Sequence, residues 1–349
     1  MKKIAIKTIC RKTLSDMVTP VGIYLRIRDR FRDTILLEST DFNSAENSWS
    51  FIGVNAIAGF EAVNLNQVEF KLPGLPPEKL NLKTPQGLVP AINKFFARFE
   101  GDPACELPAA QSFFGYTSYD AVQFFDTIRF NDSKESTTSS NLLRYRLYQY
   151  VVAINHFNEE LYLCENIVEG IEGDINLLSS LIFSRDVPVF PFATKGPVSS
   201  NMTDEAYREM VREGIAACLR GDVFQIVLSR RFAQPFSGDE FNVYRALRSV
   251  NPSPYLFYFD YGDYRLFGSS PESQLIIDKG KAVVHPIAGT FRRTGNPEKD
   301  RAEAERLKND AKENAEHVML VDLARNDLSR HASQVEVSSY RKVHYFSHV

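Results

Sequence analysis

The sequence has few cysteines and almost no excess of charge of either sign. Its cysteines show neither CxxC spacing nor partner histidines, and they are Cys10, Cys105, Cys164 and Cys218. This pattern predicts no zinc site and no disulfide framework, and it favours a reducing cytoplasm. Lysine and arginine number 41 against 44 aspartate and glutamate, so the formal net charge is −3. The overall charge therefore gives no support to a nucleic-acid partner or to binding at an anionic membrane.

Long apolar runs are also missing. No stretch approaches the ~18 apolar residues of a membrane span, and Lys7 interrupts the short apolar start before the core of a signal peptide develops. We therefore expect neither membrane insertion nor secretion. Hydrophobic residues make up 44% and charged residues 24% of the 349 residues, which is typical of a packed globular protein. At ~100 to 200 residues per domain, the length predicts two or three domains or one large α/β body.

Runs of strand-like sequence are interrupted by helical patterns, which predicts an α+β protein. Strands are expected in residues 21–68, including the alternating segment 23–27, and later in 147–154, 161–163, 223–228, 255–261 and 335–349. Helices are expected in residues 87–99, 175–183, 203–221, 241–250 and 297–328. Thr203 is a suitable N-cap, and Gly221 a suitable end, for the third of these helices.

Two segments divide this pattern. Residues 186–200 concentrate proline and glycine without periodicity, so we place a linker at 186–202 between an N-terminal domain, 1–185, and a second domain, 203–349. Residues 131–141 are polar throughout and predict an exposed loop. The strand pattern of 335–349 stops without a turn residue or a polar tail, from which we expect a chain cut short at its C-terminus.

The strongest local constellation of reactive side chains lies in the last predicted helix. Glu313, Glu316 and His317 share one helical face. Mg²⁺ typically takes one or two protein carboxylates and completes its octahedron with water and substrate oxygens. The alternative is an ordinary solvated helix face, and spacing alone favours that alternative by roughly two to one.

A second candidate site is the turn at residues 286–295. Gly289 allows a ligand to approach the backbone, and Thr290, Arg292 and Arg293 offer hydrogen-bond donors suited to a carboxylate. A glycine-containing bend with surface arginines is about equally consistent with the local sequence.

The order of these motifs resembles the large, chorismate-using subunits of anthranilate synthases. The resemblance runs through the chain and is closest from Gly221 onward, where six motifs follow in family order: residues 222–231, the Asn251 turn, the Gly268 loop, the Pro286 turn, the Asp310 helix and residues 321–328. It implies a two-domain α+β fold with packed antiparallel sheets and outer helices. Relative to that family, the C-terminal part is missing.

The resemblance also implies the chemistry. Glu316 would bind Mg²⁺, and Glu313, one turn away, would hold a metal-bound water or complete an acidic wall. Ala288, Gly289 and Thr290 would line the substrate chorismate, with Thr290 also among the catalytic residues. Ammonia from a separate glutamine amidotransferase subunit would add at ring C2 as the C4 hydroxyl leaves, and elimination of pyruvate would give anthranilate.

Two positions separate this chain from related chorismate enzymes. Isochorismate and salicylate synthases carry a lysine at the position of Gln225, where it activates water, and glutamine cannot act as that base. Aminodeoxychorismate synthases carry a nucleophilic lysine at the position of Ala288. Both departures favour direct use of ammonia, although an aminodeoxyisochorismate synthase would have the same residues here.

A feedback-inhibitor site for L-tryptophan is implied by two further segments. One is Leu37, Glu38 and Ser39, of which Glu38 and Ser39 would meet the amino-acid head group. The other is Pro254, Tyr255 and Leu256, which would border the indole. An alternative function is therefore a catalytically inactive tryptophan-binding module with a truncated active site.

Overall fold

The computed structural model describes residues 3–39, 48–130, 140–346 and 348–349. Residues 131–139 of the predicted exposed loop lie outside the described residues. The chain forms two compact units: Met1–Val187 with Leu247–Val349, and Pro188–Ala246. The domain boundaries expected from the sequence stay a prediction.

The helices form where caps and apolar periodicity coincide. Their bounds are α1 Pro20–Ile27, α2 Leu88–Phe96, α3 Ile175–Ile182, α4 Asp204–Arg220, α5 Phe241–Val250, α6 Pro297–Asn309 and α7 Ala311–Ser329. Thr203 caps α4 through its side chain, and Gly221 ends that helix with a φ of +81°. The predicted helix over 297–328 is two helices, because Asp310 is extended and caps α7 by accepting a hydrogen bond from the Glu313 N–H at 3.0 Å.

The strands lie mainly in the first unit. Their bounds there are β1 Ile4–Ala5, β2 Lys7–Leu14, β3 Thr34–Glu38, β4 Trp49–Asn64, β5 Gln67–Lys71, β6 Glu78–Asn81, β7 Phe99–Glu100, β8 Phe113–Thr117, β9 Leu143–Asn155 and β10 Glu160–Ile167, followed by β15 Tyr255–Asp260, β16 Arg265–Ser270, β17 Ile276–Asp278 and β18 Lys281–Val283. In the second unit, short strands form two antiparallel pairs, β11 Phe192–Thr194 with β14 Phe236–Gly238 and β12 Ser199–Ser200 with β13 Phe232–Ala233.

An antiparallel sheet organises the first unit. Its strands run in the order β16-β15-β3-β4-β9-β10-β2, with β5 paired to β4, β6 paired to β5 and β8 paired to β9. The pairing of β3 with β15 aligns Glu38 with Leu256 and Leu37 with Phe257. Two segments more than 200 residues apart in sequence are therefore neighbours in one sheet.

The core of this unit lies against the sheet in adjoining apolar clusters. One contains Ile35, Tyr148, Val151 and Phe259, and another packs Phe60 and other aromatic rings against α2. In the part of the chain that the structure describes, no helix is both long and apolar enough to cross a bilayer.

The alternating segment 23–27 was expected to be a strand, and this expectation is wrong. The residues belong to α1, because Thr19 caps the helix by accepting from the Gly22 N–H at 3.1 Å and Pro20 occupies its first turn. Ile23, Tyr24 and Ile27 fit the helical spacing equally well, and all three are buried.

The strands expected at 223–228 and 335–349 are also absent from the described residues. Phe224 is 96% exposed and Val227 is exposed beside it. Both segments are irregular. Apolar sequence becomes a strand only when a neighbouring strand satisfies its backbone groups, and no described strand pairs with either segment.

The expectation of no disulfide is overturned as well. Cys10 on β2 and Cys164 on β10 are disulfide-bonded, with their Cα atoms 4.2 Å apart. The register of these neighbouring antiparallel strands places the two residues directly opposite each other. Their separation of 154 residues explains why no spacing motif indicated the pair.

Candidate active site

A cavity of about 2410 Å³ lies in the first unit. It is lined by the ends of β3 and β15, by residues 280–293, by one face each of α6 and α7, and by residues 331–346. Both candidate sites from the sequence contribute to it, the first through Glu313 and His317 and the second through residues 286–293.

The predicted substrate segment forms part of this wall. Ala288, Gly289 and Thr290 all line the cavity. Gly289 has a φ of +77°, and a Cβ there would lie 3.1 Å from Leu307 Cδ1 and 3.2 Å from Glu313 Oε2. Glycine is needed for both reasons, because only its backbone adopts this conformation freely and approaches α7 so closely.

The two glutamates of α7 differ in their surroundings. Glu313 lines the cavity and lies 3.7 Å from Lys312 Nζ, whereas Glu316 is half-buried and is not part of the lining. His317, one turn after Glu313, also lines the cavity; its Nε2 is buried without a hydrogen-bond partner among the described residues, and its ring lies 5.7 Å from that of Tyr340. The assignment of Glu316 as a metal ligand stays a prediction.

The described residues of α7 do not form a complete metal site with their neighbours. Among the described residues, no three His, Cys, Asp or Glu side chains come together as a metal site. Two carboxylates one turn apart still suit Mg²⁺, which commonly takes most of its ligands from water and substrate. The donor types therefore fit this ion.

Positive charge exceeds negative charge around the cavity. The described lining contains eight basic residues, Arg265, Lys281, Arg292, Arg293, Lys308, Arg325, Arg341 and Lys342. It contains five acidic residues, Glu38, Asp300, Glu303, Glu313 and Glu336. Because the whole chain has a formal charge of −3, the surplus is local and suits an anionic ligand.

The predicted inhibitor residues meet at the sheet end of the same cavity. Its lining includes all six of them, namely Leu37, Glu38, Ser39, Pro254, Tyr255 and Leu256. Glu38 is a buried carboxylate with 1% side-chain exposure, and its Oε1 lies 3.1 Å from Arg248 Nε. The adjoining turn is held to β16, since Ser269 Oγ donates to the Asn251 carbonyl at 2.6 Å.

Gln225 belongs to the second unit, where it is exposed in an irregular segment. Its expected neighbours in a strand are likewise exposed. Its proposed part in the choice of nucleophile stays a prediction.

Two groups of cavity residues had no counterpart in the sequence analysis. Tyr116 and Tyr264 line the cavity with their hydroxyl oxygens 2.5 Å apart, and burial raises the pKa of Tyr116. Asp300 is 4% exposed and accepts hydrogen bonds from Arg293 and Thr294. The tyrosines are 148 residues apart, so no local signal could have found them. The Asn296-Pro297 helix start beside two arginines was an available signal for Asp300.

Comparison with known proteins identifies the relatives of this chain. Residues 42–349 match the family of chorismate binding enzymes. Anthranilate synthase component 1 of Thermus thermophilus is 34% identical over 346 residues, which cover 97% of this chain and 72% of the relative. Its counterpart in Aquifex aeolicus is 30% identical, with 96% and 70% covered. The crystal structure of anthranilate synthase component I from Streptococcus pneumoniae matches with a TM-score of 0.68 at 24% identity, covering 97% of this chain and 73% of that one.

Proposed function

This chain belongs to the chorismate-binding enzyme family, and we propose that it is a chorismate-using lyase that makes anthranilate from chorismate and ammonia in tryptophan biosynthesis. The observation that carries the proposal is the close approach of Gly289 to Glu313 in the wall of one positively charged cavity. A dicarboxylate substrate lying on Ala288–Thr290 would then be next to Glu313 of α7.

The residues of the cavity divide the work of binding. The basic surplus attracts the carboxylates of chorismate, the backbone of Ala288 and Gly289 lets the ring approach closely, and the Thr290 hydroxyl orients it by hydrogen bonding. Glu316, with Glu313 beside it, would hold Mg²⁺. When bound, this ion would neutralise substrate carboxylates and polarise the departing group.

The choice of nucleophile follows from two neutral side chains. The Gln225 amide cannot remove a proton from water, and the Ala288 methyl group cannot attack the ring. Ammonia is then the nucleophile that remains, and we propose that a separate glutamine amidotransferase subunit supplies it. A cytoplasmic location for the enzyme stays a prediction.

We propose L-tryptophan as the feedback inhibitor, bound between the ends of β3 and β15. The pairing of Glu38 with Leu256 supports this site, because it joins a carboxylate suited to an ammonium group with an apolar wall suited to an indole. Binding must be reciprocal: if tryptophan weakens chorismate binding, chorismate weakens tryptophan binding by the same factor.

The test is an assay of the 349-residue chain with chorismate, Mg²⁺ and ammonium, in which anthranilate is followed by fluorescence and pyruvate by a coupled dehydrogenase. We expect both products in equal amounts, and neither with glutamine in place of ammonium or after chelation of the metal.

The alternatives give different results in the same assay. Amination without pyruvate release would identify an aminodeoxyisochorismate synthase. No consumption of chorismate, together with calorimetric binding of tryptophan, would identify the inactive binding module.

A further inference from the structure

The substrate segment, Ala288–Thr290, continues into a turn whose residues Arg293 and Thr294 are hydrogen-bonded to Asp300 near the start of α6. The Asp300 carboxylate is 4% exposed. Its Oδ1 accepts from the Thr294 N–H at 2.7 Å and from the Thr294 hydroxyl at 2.8 Å, and its Oδ2 accepts from Arg293 Nε at 3.0 Å. These hydrogen bonds and the arginine charge hold the pKa of Asp300 below its ordinary value.

The same helix contacts the segment at two other places. The Arg306 guanidinium lies 4.6 Å from the centre of the Phe291 ring, and Leu307 lies beneath Gly289. Asp300 and Leu307 are seven residues apart and both line the cavity, so α6 presents one continuous face to the segment.

The three contacts are not equivalent. The Phe291 contact is between a flexible arginine and a ring, and the Gly289 contact is a van der Waals approach without a hydrogen bond. The contact at Asp300 alone combines charge, burial and three hydrogen bonds, and charge-assisted hydrogen bonds are about twice as strong as neutral ones. It also fixes the backbone directly, through the Thr294 N–H.

Arg293 extends this anchor further. Its Nη1 donates to the Phe346 carbonyl at 2.7 Å, and its backbone N–H donates to the His348 carbonyl at 2.9 Å. Asp300 therefore orients a side chain that also holds another part of the cavity wall.

We propose that Asp300 is a positioning residue for the substrate: through Thr294 and Arg293 it sets where Ala288, Gly289 and Thr290 meet chorismate. The inference rests on the proposed function for the identity of the substrate. Asp300 itself takes no part in the reaction, since its carboxylate is already occupied by donors of the turn.

The test compares Asp300→Asn with Glu298→Gln in the full chain. Each change removes one negative charge from the start of α6 with little change of shape, but Glu298 is exposed and, among the described residues, its side chain has no hydrogen bond or ion pair with the turn. Misplacing a binding group by about 1 Å can cost 10²-fold in rate. We expect Asp300→Asn to raise the KM for chorismate about tenfold and to weaken calorimetric chorismate binding equally, with Glu298→Gln unchanged in both.

A second variant separates positioning from folding. Asp300→Ala loses all three hydrogen bonds and should raise KM further than Asp300→Asn, whose remaining oxygen still accepts from Thr294. A merely structural role would lower kcat through loss of folded enzyme and leave KM unchanged, and that result would overturn the inference. A parent chain that neither binds nor converts chorismate would instead refute the proposed function.

Discussion

Gly289 has both a left-handed backbone and close neighbours, and substitution of Gly295 is a control that separates these two features. Replacement by alanine introduces strain at a φ of +77° and also a Cβ within 3.3 Å of Leu307 and Glu313. Gly295, in the same turn, has a φ of +79° and no heavy atom within 4 Å of the added Cβ. The two positions therefore share the backbone strain, and only the first adds a tight contact.

We expect Gly289→Ala to lower kcat/KM for chorismate about tenfold more than Gly295→Ala, because the tight contact shifts the substrate segment or Glu313 by a few tenths of an ångström. Steady-state kinetics and the free energy of unfolding of both variants check this. Equal losses of activity would mean that backbone strain alone matters and that the approach to Glu313 has no function.

Arg248 forms an ion pair with Glu38, whose carboxylate is buried away from water. Removing one partner of a fully buried ion pair costs about 3–5 kcal/mol. Arg248 is 39% exposed, whereas Glu38 is 1% exposed, so the expected cost is lower.

We expect Arg248→Met to reduce the free energy of unfolding by about 2 kcal/mol and to weaken tryptophan binding, because Glu38 loses a cationic partner that lies 3.1 Å from its Oε1. Urea unfolding and calorimetry measure the two effects. Arg245→Met on the same helix is the control, since Arg245 donates to the uncharged Asn242 at the surface. A loss no larger than that of the control would contradict the expected role of Arg248.

Individual site residues could be predicted where they lie together in a short sequence motif, and not where only the fold brings distant residues into contact. Ala288, Gly289 and Thr290 stand in one turn, and the structure places all three in the cavity wall. Tyr264 was not found, because its partner Tyr116 is 148 residues away. Asp300 was missed although its partners Arg293 and Thr294 lie within seven residues of it. Gln225 was singled out by a side-chain comparison, and its surroundings in the structure do not test that role.

Among the secondary-structure elements, α7 depends on the N-cap residue that precedes it. Asp310 interrupts the helical pattern and caps α7, and the hydrogen bond that it accepts comes from the backbone N–H of Glu313. Loss of an N-cap typically costs about 1 kcal/mol.

We expect Asp310→Ala to destabilise the protein by about 1 kcal/mol and to raise the Mg²⁺ concentration needed for half-maximal activity. Asp310→Ser should restore most of both, because serine is also a good N-cap. Thermal unfolding and a magnesium titration measure the effects. If serine failed to restore the stability, the cap would not be the cause.

The elements themselves were predictable when two signals agreed. Thr203, Gly221 and the apolar face between them defined α4 correctly. The segment 23–27 satisfied both strand and helix periodicity, and the Thr19-Pro20 cap decided in favour of the helix. The segment 223–228 has strand composition without a partner among the described strands, and composition alone cannot supply one.

The molecule as a whole is weakly acidic, but its large cavity is basic. Chorismate carries two carboxylates, so its capture should depend on the local field and weaken as salt screens it. We expect the KM for chorismate to rise severalfold between about 0.05 and 0.5 M salt, with kcat nearly constant.

Initial rates over a series of chorismate concentrations check this, with a salt whose ions do not bind Mg²⁺. Arg292→Gln removes one exposed positive charge from the lining and should reduce the salt dependence. A KM that is independent of salt would show that the basic surplus does not guide the substrate.

The pairing of β3 with β15 also determines how long β3 waits for a partner strand during translation. Glu38 and its partner Leu256 are 218 residues apart, and at about 5–20 residues per second a ribosome needs about 10–45 s to reach the second from the first. Throughout that interval one edge of β3 has no native neighbour on the nascent chain, and a free strand edge invites pairing with other chains. Because the strand order leaves this edge unpaired until β15 is made, we expect the nascent chain to need chaperones during translation. This need should grow whenever translation slows between codons 39 and 255.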